Sequence, residues 1–275
     1  MTSLYSGPTP EFVQSISLDV IGLLPPMVAC DEAGFRIEFC RPQSIGLDEV
    51  DLHLPFDGSR NTVHRSAWAK TGMLLGQTQE DSGRSRPVGF ESSLERSTAI
   101  SALIHPNTAG FKCQPRQIVF DQDVDGVKSN TLDFLVTLKT GQKTYLFVKN
   151  EASLSKEKTA RICAAIRKVL PEGFGFAPIS DAEFSPVLRG NLERLYLAKR
   201  ESDAEADRRL EQVLDHLIDV ERFSIEELVV RCNMGPRQAD SGRAFNAILR
   251  AIADQKIATD RHKLIDYPTV VGHAS

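Results

Sequence analysis

The stretch that decides the fold is residues 131–149, which read TLDFLVTLKTGQKTYLFVK. Its first half is rich in apolar and β-forming residues, Thr140-Gly141-Gln142 supplies a turn, and a second apolar run returns to Lys149. Two such runs separated by a short turn that contains glycine predict an antiparallel hairpin. We therefore expect a sheet in this part of the chain, with Asp133 on one strand and Lys149 closing the neighbouring strand.

The segments on either side of the hairpin extend it into a larger unit. Helical and strand-like spacings of apolar residues alternate along residues 89–200. The predicted elements are helices over 93–104, 155–169 and 180–200 and strands over 117–120 and 174–179. The last helix is expected to open at Ser180, which has a capping-box partner in Glu183. This order predicts an α/β (α+β) fold in which a mixed sheet is flanked by helices.

Residues 201–275 are interpreted as a separate C-terminal unit. Polar residues 202–207 suggest a hinge, and apolar residues then recur at helical spacing in three segments up to Gln255. Residues 257–267 are typical of two short strands around a polar tip. Helix, helix, helix and hairpin is the order of a winged helix, and a small helical bundle is the alternative.

Residues 1–88 are predicted to form an N-terminal extension of unknown role, which gives domains at 1–88, 89–200 and 201–275. Residues 35–40 alternate apolar and polar side chains, as half-buried strands do, and residues 51–54 suggest another strand. Residues 76–87 are polar and rich in Gly and Ser, and we predict a linker or mobile loop there.

Composition excludes several classes of protein. The 275 residues include 33 Lys+Arg and 37 Asp+Glu, and 41% are hydrophobic, which argues against a disordered chain or a disulfide miniprotein. The five cysteines are scattered without a C-x-x-C pair, as expected of reduced thiols. The first residues lack a signal-peptide pattern, and the most apolar early stretch contains Pro25 and Pro26. We expect a cytoplasmic protein without a membrane partner.

Three polar residues form the candidate constellation. Asp133 interrupts a strand-like run although Asp is depleted in strands, Lys149 ends the return strand, and Glu95 lies in the first turn of the preceding helix. Carboxylate oxygens suit Mg²⁺, which lowers the pKa of a bound water. A lysine beside them can orient that water or neutralise charge in the transition state. The pattern predicts a magnesium-dependent nuclease site.

Each of the three residues also has an ordinary structural explanation. Glu95 is the third helical residue after Ser92, so it can simply complete a capping box. Asp133 can begin a strand after a turn, and Lys149 can be a solvated charge. Glu91, four residues before Glu95, is expected on the same helical face and competes as the first acid.

A family resemblance is carried by short motifs that occur in a fixed order. They are RSR at 84–86, ESSLER at 91–96, QP at 114–115, LDFLV at 132–136, VK at 148–149 and SDAE at 180–183 with Pro186, Asn191 and LY at 195–196. In these motifs residues 84–200, and less specifically 205–270, resemble the TnsA family of heteromeric transposase endonucleases. The resemblance implies a restriction-endonuclease-like catalytic domain followed by a C-terminal winged-helix domain.

The resemblance also implies the chemistry and the partners. The catalytic residues of the family are matched by Glu95, Asp133 and Lys149. The expected metal is Mg²⁺, with Mn²⁺ able to substitute, and its expected ligands are Glu95, Asp133 and the Val148 carbonyl. Two additional candidates for the site are Glu91 and Gln114. The implied partners are transposon-end DNA, a DDE-type transposase subunit and an AAA+ ATPase regulator, in the bacterial cytoplasm. The implied reaction is phosphodiester hydrolysis at the 5′ side of each transposon end. One departure is Phe147, where the family has Glu or Gln.

Basic residues suggest where DNA is held. Residues 231–263 carry seven Lys or Arg and three Asp, which favours phosphate contact by the predicted winged helix, a solvated face or a protein-docking surface. The residues expected to contact DNA are Arg84, Arg86, Lys156, Arg243 and Arg261.

Three alternative functions stay open. Phe147 favours a catalytically impaired adaptor that uses the same sheet to bind DNA or the transposase. The C-terminal unit alone would suit a sequence-specific regulator. Because this fold hosts many nucleases, a defence-type restriction enzyme is the third alternative.

Overall fold

The computed structural model describes residues 53–59, 70–232 and 238–274. The strands are β1 (Gly72–Gly76), β2 (Arg86–Phe90), β3 (Thr108–Cys113), β4 (Gln117–Val124), β5 (Val127–Thr131), β6 (Phe134–Leu138), β7 (Lys143–Val148), β8 (Phe174–Ile179), β9 (Phe223–Ser224), β10 (Ile257–Ala258) and β11 (Val270–His273). The helices are α1 (Ser93–Ile104), α2 (Glu151–Leu154), α3 (Glu157–Val169), α4 (Pro186–Arg200), α5 (Ala204–His216), α6 (Ile225–Cys232) and α7 (Gln238–Ala253). The strand predicted over 35–40 lies outside these ranges.

The central sheet has four strands in the order β3-β6-β7-β8. The predicted hairpin is confirmed: β6 and β7 are antiparallel, with Phe134 opposite Leu146. Strand β8 returns parallel to β7 after α3, so the sheet is mixed. Strands β4 and β5 form a separate hairpin between β3 and β6.

Helices cover both faces of the sheet because the strand side chains alternate. Leu146 and Val148 of β7 belong to a core shared with α1 and α4, whereas Tyr145 and Phe147 belong to a second core shared with α2 and α3. Since successive strand residues point to opposite faces, one apolar strand supplies both cores. The predicted α+β arrangement of a mixed sheet between helices is confirmed.

The start of α4 differs from the prediction. Ser180 caps a short 3₁₀ turn, Asp181–Glu183, and α4 begins only at Pro186 with Ser185 as its N-cap. A proline fits the first turn of a helix because its missing N–H would be unpaired there.

The prediction of a linker over residues 76–87 is wrong. Strands β1 and β2 pair antiparallel across this segment, and a 3₁₀ turn, Gln79–Asp81, lies between them. The Asp81 carboxylate accepts hydrogen bonds from the Thr78 amide and hydroxyl and pairs with Arg86. Leu74 and Val88 enter the first core. The boundary predicted between residues 88 and 89 therefore falls inside β2.

The C-terminal region has the predicted helix order and one strand more than predicted. Strands β10, β11 and β9 form a three-stranded antiparallel sheet in that order. The second strand expected within residues 257–267 lies later in the structure, because Asp266 and Thr269 close a turn and β11 begins only at Val270.

The C-terminal region shares the first core with the central sheet. Helix α4 packs against α7, and the buried Asn191 side chain bonds the backbone of Arg261, Lys263 and Ile265. The segment predicted as a hinge opens α5 and is tied by Arg250, which contacts Asp207 and the Glu201 carbonyl. No helix in the described ranges is long and apolar enough to cross a membrane.

Candidate active site

Asp133 lies between β5 and β6, at the start of the central hairpin. It is only 7% exposed. Its Oδ2 accepts a hydrogen bond from the Val148 amide at 2.7 Å, so the carboxylate is fixed across the β6–β7 pair. A buried carboxylate is tolerated when it is hydrogen-bonded, and this backbone amide meets that need.

Lys149 follows β7 and brings its ammonium to the same place. Its Nζ lies 4.0 Å from Asp133 Oδ2 and donates to the Val148 carbonyl at 3.0 Å. The Lys149 side chain is 40% exposed, so its ammonium stays accessible from solvent. The hairpin register therefore juxtaposes the predicted strand acid and the predicted lysine.

Glu95 is the third residue of α1, and the predicted capping box is only half formed, because the Glu95 carboxylate bonds the amide of Glu91 and not that of the N-cap Ser92. Its amide donates to the Ser92 hydroxyl oxygen at 3.0 Å, and its carboxylate accepts from the Glu91 amide at 2.7 Å and the Ser92 hydroxyl at 3.2 Å. These bonds hold the side chain at the helix N-terminus, where the helix dipole favours negative charge.

The pKa of Glu95 depends on burial and on the neighbouring charges of Asp133 and Lys149 as well as on the helix cap. Burial, and then the charge of Asp133, raise the pKa of Glu95 from 4.5 to about 7, although hydrogen bonds from Glu91 and Ser92 and the charge of Lys149 lower it. Two carboxylates thus repel each other beside a single lysine. Such a perturbed acid in a charged cluster is typical of functional sites.

Phe147 offers no oxygen to this cluster. Its side chain is 1% exposed in the second core, and its ring centroid lies 4.6 Å from Lys149 Nζ. The ring also lies 6.1 Å from that of Phe176 on β8. At this position the chain presents an aromatic face, which attracts the lysine ammonium.

The residues present fit a hard divalent cation that keeps several waters. Within the described ranges, no group of three or more His, Cys, Asp or Glu side chains is placed to hold a metal ion. Glu95 and Asp133 nevertheless supply two carboxylates, and the Val148 carbonyl, already bonded to Lys149, has a second lone pair. Mg²⁺ is commonly bound by one or two carboxylates together with water.

The two additional candidates have different placements. The expectation that Glu91 shares a helical face with Glu95 is wrong, because α1 begins after the N-cap Ser92 and Glu91 precedes the helix. Gln114 follows β3 directly, and its amide donates to the Asp133 carbonyl at 2.7 Å. Of the two, Gln114 is the one attached to the backbone of the site acid.

Two of the residues expected to contact DNA form ion pairs within the protein. Arg86 pairs with Asp57 and Asp81, and Arg243 with Asp203 and Glu205. These guanidinium groups are neutralised by carboxylates within the protein, which does not support a role in DNA binding.

Arg261 is buried, which does not support the prediction that it contacts DNA. It is 4% exposed and donates to the Ile252 carbonyl at 2.6 Å, and burial lowers its pKa to about 10. By contrast, the side chains of Arg84 and Lys156 are exposed and stay available to a phosphate.

The sequence suggests a strand over residues 51–54 but gives no sign that residues 53–59 lie beside the site. The Ser59 amide donates to the Gln114 carbonyl at 3.0 Å, and the Leu54 amide to the Ser85 carbonyl at 2.7 Å. Part of the predicted N-terminal extension therefore lies next to the site. No local pattern signals this, because the contacts are between backbone groups far apart in sequence.

Comparison with models of known protein families and with curated proteins finds no match to this chain. The resemblance to the TnsA family therefore depends on the motifs, and the functions it implies are proposals.

Proposed function

We propose that this chain is a metal-dependent DNA endonuclease subunit of a heteromeric transposase, with a restriction-endonuclease-like catalytic domain. The observation that carries the proposal is the meeting of Glu95, Asp133 and Lys149, which come from α1, the start of β6 and the end of β7. An acid pair with one lysine is suited to phosphodiester hydrolysis, where negative charge grows in the transition state. The motif order supports the TnsA family among nucleases that use such a site.

Each residue has a defined role in this proposal. Glu95 and Asp133, with the Val148 carbonyl, would hold Mg²⁺, which when bound polarises the phosphate and acidifies a water. Lys149 stands 4.0 Å from Asp133, where it can orient an attacking water or neutralise a phosphate oxygen. The exposed Arg84 and Lys156 would contact the DNA backbone without reading sequence.

The expected DNA is the end of a transposon, and the expected product is a cut at its 5′ side. A DDE-type transposase subunit would cut and join the other strand, and an AAA+ ATPase would regulate both. These partners follow from the resemblance alone.

Strand-specific cleavage tests this function. We would incubate the chain and its transposase with labelled end DNA and Mg²⁺ or Mn²⁺, and compare wild type with Asp133→Asn. Asparagine keeps an oxygen that can accept from the Val148 amide, so it removes the charge and preserves the fold. Loss of 5′ cleavage by at least 100-fold is expected, whereas Asp219→Asn, a change at an exposed aspartate, should cleave as wild type. Equal cleavage by wild type and Asp133→Asn would refute the site.

An adaptor without catalytic activity is the second candidate, because Phe147 removes one expected oxygen from the site. In that case the chain would bind DNA or the transposase equally well with and without a divalent cation. Metal-independent binding of the partner, together with no cleavage in Mn²⁺, would favour the adaptor.

A further inference from the structure

Gln114 has an unusual combination of burial and backbone conformation. It is 2% exposed, and its φ of 44° lies in the left-handed region, which a residue other than glycine adopts at a cost. Its backbone is fixed on both sides, by the bond to the Asp133 carbonyl and by the bond from Ser59. Strained residues that the surrounding structure holds in place are concentrated at functional sites.

The side-chain oxygen of Gln114 lacks a partner. Among the described residues, nothing donates a hydrogen bond to Gln114 Oε1, although this atom is buried. Buried polar atoms are nearly always hydrogen-bonded, so an exception calls for a ligand or an ordered water. The unpaired oxygen belongs to the residue that faces Asp133 across the ends of β3 and β6, where the preceding pair is Cys113 and Phe134.

We infer that Gln114 supplies a third side-chain oxygen to the divalent cation for which Glu95 and Asp133 are suited. This inference rests on the proposed function. A neutral amide oxygen fits the site better than a third acid, because Glu95 and Asp133 already repel each other. A ligand oxygen from Gln114 also explains how the site can bind a metal although Phe147 provides no ligand atom. Amide oxygens are ordinary ligands of hard cations.

Mn²⁺ binding to the full chain tests the inference without measuring cleavage. Protein freed of metal by EDTA and dialysis would be titrated with Mn²⁺ by calorimetry, comparing wild type with Gln114→Leu. We expect Gln114→Leu to weaken Mn²⁺ binding by about 10-fold or more, the range seen when a supporting metal-site group is removed. Gln142→Leu, at an exposed glutamine in the β6–β7 turn, is the matched control and should bind as wild type.

Thermal unfolding separates a ligand from a packing residue. In EDTA, Gln114→Leu should unfold at or above the wild-type temperature, because it removes an unpaired buried oxygen. In Mn²⁺ it should lose most of the metal-induced rise in Tm. Two further variants keep a polar side chain, so that a loss of binding is not mistaken for misfolding. Gln114→Glu keeps an oxygen at the same distance from the backbone and should bind Mn²⁺. Gln114→Asn adopts the left-handed backbone conformation readily but has a shorter side chain, which withdraws the oxygen, and should not bind Mn²⁺.

The outcomes are distinct. Wild-type affinity in both Gln114→Leu and Gln114→Asn, with binding that still requires Asp133, overturns the role of Gln114 and leaves the proposed function standing. If the wild type does not bind Mn²⁺, or binds it no more tightly than Asp133→Asn does, the metal site itself is overturned, and the inference with it.

Discussion

Replacing Glu95 by glutamine should stabilise the metal-free protein at alkaline pH. Burial and Asp133 raise the pKa of Glu95 from 4.5 to about 7, so the folded protein holds a proton that the unfolded chain has released. Between these two values the folded state binds more protons, and its stability therefore falls as pH rises. Each unit between the two pKa values corresponds to about 1.4 kcal/mol, which gives a loss of about 3 kcal/mol by pH 8.

Glutamine removes the charge and keeps most of the local structure. Its side-chain oxygen can still accept from the Glu91 amide, and glutamine serves at this position of a capping box. The difference in free energy of unfolding between Glu95→Gln and wild type should be near zero at pH 4. It should rise to about 3 kcal/mol in favour of the variant at pH 8, because the wild type alone loses stability over that range.

Urea unfolding in EDTA at pH 4 to 8 measures this difference. Glu91→Gln is the control, since Glu91 lies just before the helix and bonds Glu95 through its backbone amide, which the substitution keeps. That variant should follow the pH dependence of the wild type. A Glu95→Gln variant that is less stable than wild type at pH 8 would refute the reasoning, because it would mean that the charged cap outweighs the burial and repulsion of the carboxylate.

Three other changes test the packing of Phe147 and the placement of two basic residues. Phe147→Leu should lower the free energy of unfolding by about 1–2 kcal/mol, because it shrinks a fully buried side chain and removes the ring beside Lys149. Urea denaturation measures this loss, and an unchanged free energy of unfolding would argue against the packing described. Arg261→Met should leave the affinity for a generic DNA duplex unchanged, since Arg261 is buried. Lys156→Ala should weaken this affinity and reduce the slope of log K against log salt concentration by about one, because the exposed lysine no longer contacts a phosphate. Fluorescence anisotropy at several salt concentrations distinguishes them, and equal losses in both variants would contradict this assignment.

The hairpin at residues 131–149 could be predicted because its signals are local. Its two apolar, β-forming runs and its Gly141 turn act within a few residues, and helix α1 is likewise set by Ser92 and the apolar spacing after it. The meeting of Asp133 and Lys149 could be predicted for the same reason, because a hairpin places its two ends side by side.

The features that escaped prediction depend on distant contacts. Residues 76–87 have a linker-like composition, yet they form an ordered connection between β1 and β2. There the Asp81 carboxylate accepts a hydrogen bond from the Thr78 amide and pairs with Arg86. Arg261 looks like a surface charge in sequence and is buried only because α4 and α7 pack around it. Gln114 gives no local signal of its unpaired oxygen, since that property exists only once β3 and β6 are paired.

Cleavage of labelled transposon-end DNA by the chain and its DDE-type transposase, with Mg²⁺ or Mn²⁺, tests the central claim most directly. The account predicts a cut at the 5′ side of the end that is lost in Asp133→Asn and in Lys149→Ala and kept in Asp219→Asn. Cleavage that persists in both site variants, or no cleavage by the wild type in either metal, would contradict it.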